Sequence, residues 1–166
     1  MCDAAVVATV YMLFGGVGTG KTTFARSLEQ PGAVRLSLDE WTIAATGDSV
    51  HLDPNAERRV FDRLTQLWPQ IVSRGVDVAL DFGFWDRYRR DQVREIAASV
   101  QADVRLFWID CNANEARQRC ASRTTAGHDT YRIDDGGYDW IIANRTIDPL
   151  EHDEPHTKID TTTHTD

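Results

Sequence analysis

The chain has 166 residues, 42% of them hydrophobic and 27% charged, with 26 acids against 18 bases and a net charge of −8 at pH 7. This composition fits one compact domain with its own core and excludes a disordered or fibrous chain. The acidic balance also weighs against a protein that tracks a nucleic-acid backbone, which ordinarily shows a basic face.

Apolar runs alternate with amphipathic ones along the chain. Residues 4–14 are mostly apolar, too short to span a membrane, which takes about 20 residues, and without the basic leader of a signal peptide. The stretch 6–14, ending in glycines, reads as a buried parallel strand. A glycine loop, Gly15 to Gly20, precedes a helix from Lys21 to about Glu29, which Pro31-Gly32 breaks. Val34 to Leu38 is a second strand.

Residues 54–74 carry a helical apolar stripe (Val60, Leu64, Leu67, Trp68, Ile71), with Pro54 suited to a first turn and Pro69 placed to kink or split the helix. Val76 to Leu80 is a third strand, 86–100 a helix, Val104 to Ile109 a fourth strand, and 113–123 an arginine-rich helix. Residues 124–137, with Gly127, Gly136 and Gly137, read as a mobile segment, and a small lid is expected near 119–137. Tyr138 to Asn144 is a short helix and Thr157 to Asp160 an edge strand. The expected organisation is a single domain over 1–160 and a disordered tail over 161–166. Strands alternating with helices predict an α/β fold with a mainly parallel sheet covered on both faces, whose ligands bind beyond the carboxyl ends of the strands.

The sharpest signal is Gly15-Gly16-Val17-Gly18-Thr19-Gly20-Lys21-Thr22, which fits G-x-x-x-x-G-K-[ST] between a strand and a helix. Glycines let backbone N–H groups converge on phosphate oxygens, and the helix start adds partial positive charge. Lys21, one of only two lysines, can reach the β- and γ-phosphates, while the Thr22 hydroxyl can ligate Mg²⁺ and Thr23 follows on the same turn. The donor this implies is ATP with Mg²⁺.

Two aspartates follow strands: Asp39 in Leu38-Asp39-Glu40-Trp41, and Asp81 in Asp81-Phe82-Gly83-Phe84-Trp85. A phosphotransferase needs a carboxylate to take the acceptor's hydroxyl proton and an acid to hold the metal. Asp39 fits the base or a helix N-cap; Asp81 fits the metal and acceptor site or a turn. Trp41, Phe84 and Trp85 are candidate walls of an acceptor pocket, Phe84 and Trp85 equally candidate core. Arg119 and Arg123, four apart, share a helix face and suit phosphate oxygens, or a solvated face paired with Glu115. Asp81-Phe82-Gly83 spells the D-F-G of protein kinases, but the chain has no H-R-D loop. Cys2, Cys111 and Cys120 lack metal-ligand spacing and read as reduced thiols of a cytoplasmic protein.

Taken together, the loop, Leu38-Asp39-Glu40-Trp41, Val78-Ala79-Leu80-Asp81, Arg90 and the Arg119/Arg123 pair resemble the small P-loop kinases of the polynucleotide-kinase type, with chloramphenicol phosphotransferase and zeta toxins as related members. The resemblance spans residues 6–125. It implies a three-layer α/β/α fold with a five-stranded sheet in the order 2-3-1-4-5. It implies Asp39 as general base, Asp81 near metal or acceptor, Arg90 in the acceptor site and Arg119 and Arg123 as clamps on the donor phosphates. The polynucleotide kinases tend to carry a polar Asp-x-Thr-Asn after the third strand, where this chain has Phe82 to Trp85. The expected acceptor is therefore a small hydroxyl-bearing molecule such as an antibiotic, amino sugar or nucleoside. A polynucleotide 5′-hydroxyl kinase and a nucleotide-binding switch are the alternatives. Nothing in the sequence fixes the oligomeric state, and no membrane partner is expected.

Overall fold

A computed structural model describes residues 7–123 and 130–163. Its first strand, β1 (Thr9–Phe14), begins later than the apolar run because its parallel neighbour β4 (Asp103–Asp110) starts to pair only where Thr9 meets Asp103. The other strands are β2 (Val34–Ser37), β3 (Val78–Asp81) and β5 (His156–Asp160). They form one parallel sheet in the order β2-β3-β1-β4-β5. The order expected from the resemblance is therefore the order observed, in a three-layer α/β/α fold.

Alternation along β1 divides the layers. Val10, Met12 and Phe14 face a core shared with α3 (Pro54–Val72) and α4 (Arg87–Ser99), where Trp68, Leu64 and Val93 are buried. The odd residues face the other side, where Phe24 of α1 (Lys21–Ser27) packs on Phe107 of β4 with ring centroids 4.9 Å apart. There α5 (Ala113–Arg123) and α6 (Asp135–Asn144) meet through Ala116, Cys120 and Tyr138. No helix among the described residues is long and apolar enough to cross a membrane.

Several sequence expectations are corrected. Pro69 neither splits nor ends α3, which runs unbroken to Val72. A proline this close to a helix end forfeits few backbone bonds, and the fully buried Trp68 beside it anchors the segment. A helix, α2 (Leu38–Thr46), follows β2 directly, and its N-cap is Ser37, whose hydroxyl accepts from the Glu40 N–H. Asp39 therefore does not cap. Gly136 and Gly137 belong to α6, which starts earlier than Tyr138 because Asp134 caps it through the Gly137 N–H. Of the expected mobile segment, residues 124–129, Gly127 among them, lie outside the described residues. The chain after Asp160 is no free tail as far as Thr163: the Thr161 hydroxyl donates to Thr19 O at 2.6 Å, and Thr163 bonds to Glu115.

Candidate active site

The glycine loop joins β1 to α1 at the centre of the sheet's carboxyl edge. Its shape depends on glycine: Gly18 has φ +75°, and a Cβ there would lie 2.2 Å from Ala116 O on α5. Gly15 is held equally closely, with Ile109 O on one side and the Trp85 indole N–H donating to its carbonyl at 2.6 Å. Gly20 caps α1 without a side-chain acceptor, and the first turn of α1 carries no acid. The N–H groups of loop and helix start are thus free of the usual anionic side chains and suit phosphate oxygens. The Lys21 ammonium folds back onto Gly16 O at 2.6 Å, where burial lowers its pKa against the pull of Asp81 and Asp39.

Asp81 closes β3 beside Lys21 and Thr22. Its carboxyl pKa is raised, chiefly by burial, with Lys21, the Thr22 hydroxyl and Arg35 opposing. One oxygen, Oδ2, is buried with no hydrogen-bond partner; Arg35 Nη1 stands 3.7 Å away. An orphaned carboxylate oxygen next to a threonine hydroxyl and a phosphate loop suits Mg²⁺, which takes one or two protein oxygens and completes its shell with phosphates and water. Thr22 and Asp81 therefore fit the metal expected from the sequence.

Asp39, in the first turn of α2, is open to water although protein surrounds it on most sides, as at the floor of a cleft. Its carboxyl pKa is pushed up to about 6, first by desolvation and then by the charge of Asp81, with Lys21 pulling it down. A carboxylate tuned toward neutrality and reachable from solvent is suited to accept a proton. Across from it stand Glu57 of α3 and Tyr131, whose hydroxyl is buried without a partner. The Tyr131 pKa is pushed up to about 12 by burial and by the charges of Asp39, Glu57, Asp48 and Asp53. Glu40 is not part of this acidic field, being spent on Arg35 and Arg26, and Asp86 caps α4. Arg89 stands near Glu57 at 3.8 Å and over the Phe61 ring.

On the other side of the loop, Gly20, Thr23, Phe24, Arg119, Arg123 and Thr161 line a cavity of about 590 Å³, large enough for a nucleoside. Thr161 went unrecognised in the sequence because it sits in a polar tail with no motif. Its hydroxyl bonds the carbonyls of Thr19 and Asp110 and accepts from Arg119 Nη1 at 2.9 Å. Tyr131 went unrecognised because its neighbourhood reads as a loop. Arg119 is braced by Glu115 at 2.6 Å as well as by Thr161, so it shapes the cavity wall more than it swings. Arg123 lines the same cavity within electrostatic range of Lys21 and Asp39.

Three expected acceptor residues lie elsewhere. Phe84 is 1% exposed and stacks on Phe82 inside the core. Arg90 is wholly buried: its guanidinium pairs with Glu154 at 2.8 and 2.9 Å and donates to Phe84 O and Pro149 O, leaving nothing for an acceptor. Trp41, two residues beyond Asp39 on one helix, points to a different face and lines a groove between α2 and α3 with Ala56 and Val60. Trp85 is half-buried and touches the loop itself.

The AAA domain profile matches residues 10–146 of the chain. No curated protein matches it in sequence. Among solved structures the chain is similar to a candidate kinase from Chloroflexus aurantiacus, at 18% identity, TM-score 0.73, over 95% of this chain and 89% of that one. It is similar also to the APS kinase CysC of Mycobacterium tuberculosis solved with AMPPNP and APS, at 15% identity, TM-score 0.63, over 93% and 89%. A third is Kti12 of Chaetomium thermophilum with ADP-AlF3, at 15% identity, TM-score 0.64, over 92% and 89%. Likeness at these identities establishes a shared P-loop kinase-like fold.

Proposed function

The chain belongs to the AAA domain family, and on that premise we propose that it is a phosphotransferase moving the γ-phosphoryl group of ATP to a hydroxyl of a small molecule. The observation that carries the reading is Asp39, a solvent-reachable carboxylate tuned to about 6 beside the loop lysine and the metal-competent Asp81.

The loop N–H groups and Lys21 hold the β- and γ-phosphates, and the nucleoside occupies the cavity under Arg123 and Thr161. Thr22 and Asp81 would hold Mg²⁺, which would supply neutralisation of phosphate charge there. Asp39 takes the proton from the acceptor hydroxyl as that oxygen bonds to the γ-phosphorus. The bond from phosphorus to the bridging oxygen breaks, and ADP departs with the electron pair. Most of the rate comes from alignment and charge neutralisation.

The acceptor carries a positive charge beside its hydroxyl. Asp39 and Glu57 both act on Tyr131, and this field favours an amine-bearing alcohol over a polyanionic oligonucleotide. The test offers γ-labelled ATP and Mg²⁺ with two pools, aminoglycosides and other amino alcohols in one and 5′-hydroxyl oligonucleotides in the other. Label in the first pool, with an acceptor KM that rises with salt, supports the reading. Label in the second alone overturns the acceptor class, and ATP hydrolysis with no label in either pool favours a nucleotide switch.

A further inference from the structure

The expected arginine clamp is incomplete, because Arg119 is committed to Glu115 and Thr161. Another arginine stands beside Trp85, which bonds to the loop's first residue. Arg145 is the C-cap residue of α6, its N–H bonded to Ile141 O at 2.9 Å, and its guanidinium lies 5.3 Å from the centre of the Trp85 ring. Trp85 in turn donates its indole N–H to Gly15 O, at the first residue of the loop.

The chain just beyond Arg145 is pinned beside Trp85. Asp148 N–H donates to Trp85 O at 2.8 Å, Arg87 N–H donates to the Asp148 carboxylate at 2.9 Å, and Pro149 O accepts from the buried Arg90. The segment after α6 is thus fastened to Trp85 and to the first turn of α4. No carboxylate stands within ion-pair distance of Arg145 among the described residues, so its donors are not spent within them. A planar, permanently charged fork held over an indole at the loop entrance suits the equatorial oxygens of a transferring phosphoryl group.

We propose that Arg145, carried on Trp85 at the entrance of the phosphate loop, is a catalytic residue that contacts the γ-phosphoryl group in the transfer state. The assignment rests on the phosphotransferase reading. In the step itself Arg145 neither gives nor takes a proton. It offsets negative charge on the three equatorial oxygens while the acceptor oxygen bonds to phosphorus, the bridging bond breaks and Asp39 holds the released proton.

The test compares affinities of the full chain for Mg·ADP and for Mg·ADP with aluminium fluoride, a mimic of the transferring group, by calorimetry. It needs no acceptor. The parent binds the fluoride complex more tightly than ADP alone. Arg145→Ala binds ADP as the parent does and loses at least about tenfold in affinity for the fluoride complex, in keeping with arginines that act on the transition state. Arg145→Lys recovers part of that loss. A fluoride preference in Arg145→Ala equal to the parent's overturns the inference and leaves the phosphotransferase reading standing. Equal losses for both ligands also overturn it, since they mean that Arg145 merely packs on Trp85. A parent that binds neither ligand overturns the phosphotransferase reading and the inference together.

Discussion

Replacing Asp39 by asparagine should move activity and stability in opposite directions. The carboxyl pKa is about 6 in the folded protein, against about 3.9 in an unfolded chain. Between about pH 4 and pH 6 the folded state holds a proton here that the unfolded chain has released, so this group lowers stability as pH rises through that window. A shift of this size is worth about 3 kcal/mol in a dry interior, and water reaching Asp39 reduces it to about 1 kcal/mol. The neutral asparagine carries no such cost, so at pH 7.5 the variant should melt about 2–4 °C higher, whereas at pH 4 parent and variant should melt together. Activity should fall about 10²–10⁴-fold in kcat, with ATP affinity nearly unchanged. In the parent, kcat/KM should drop on the acid side with an apparent pKa near 6, because that parameter reports the free enzyme. Differential scanning fluorimetry across pH and a pH–rate profile check both halves. A variant that keeps full kcat, or one that is less stable at pH 7.5, would refute the reasoning.

Other positions give separate tests. Gly18→Ala places a Cβ against Ala116 O in a left-handed backbone, and nucleotide affinity measured by calorimetry should fall at least about 100-fold, about 3 kcal/mol. Asp81→Asn should raise the Mg²⁺ concentration needed for half-maximal activity about tenfold or more, while ATP binding in EDTA stays near the parent's. Arg90→Met leaves Glu154 buried and short of its main partner, and chemical denaturation should show a loss of about 3–5 kcal/mol; a purely acceptor-directed KM effect with unchanged stability would contradict the structural role given to Arg90.

The phosphate loop was legible because its chemistry is local: the glycines, lysine and threonine act within one strand–turn–helix, and their spacing alone encodes it. The alternation of strands and helices was legible for the same reason, whereas the strand order came from the resemblance. Arg90 was misread because its partner, Glu154, is 64 residues away. An arginine bound for the core by a distant glutamate looks like a solvated one until the chain folds. Phe84 reads as pocket wall or core in sequence, and only stacking on Phe82 decides it. Thr161 and Tyr131 were missed because each lies in polar, glycine-containing or terminal sequence without periodicity, although tertiary hydrogen bonds or charge bring both to the site. Ser37 displaced Asp39 as helix cap because β2 runs into α2 with no loop, placing the serine hydroxyl over Glu40 N–H.

The most direct test of the account is transfer itself. Parent and Asp39→Asn proteins are incubated with γ-labelled ATP, Mg²⁺ and amine-bearing alcohols, and the label is followed by mass. The account predicts label on an acceptor hydroxyl with the parent and its loss with Asp39→Asn, while both proteins bind ATP. Equal transfer by the two proteins would contradict the base assigned here, and tight ATP binding by the parent with no transfer to any hydroxyl would contradict the phosphotransferase.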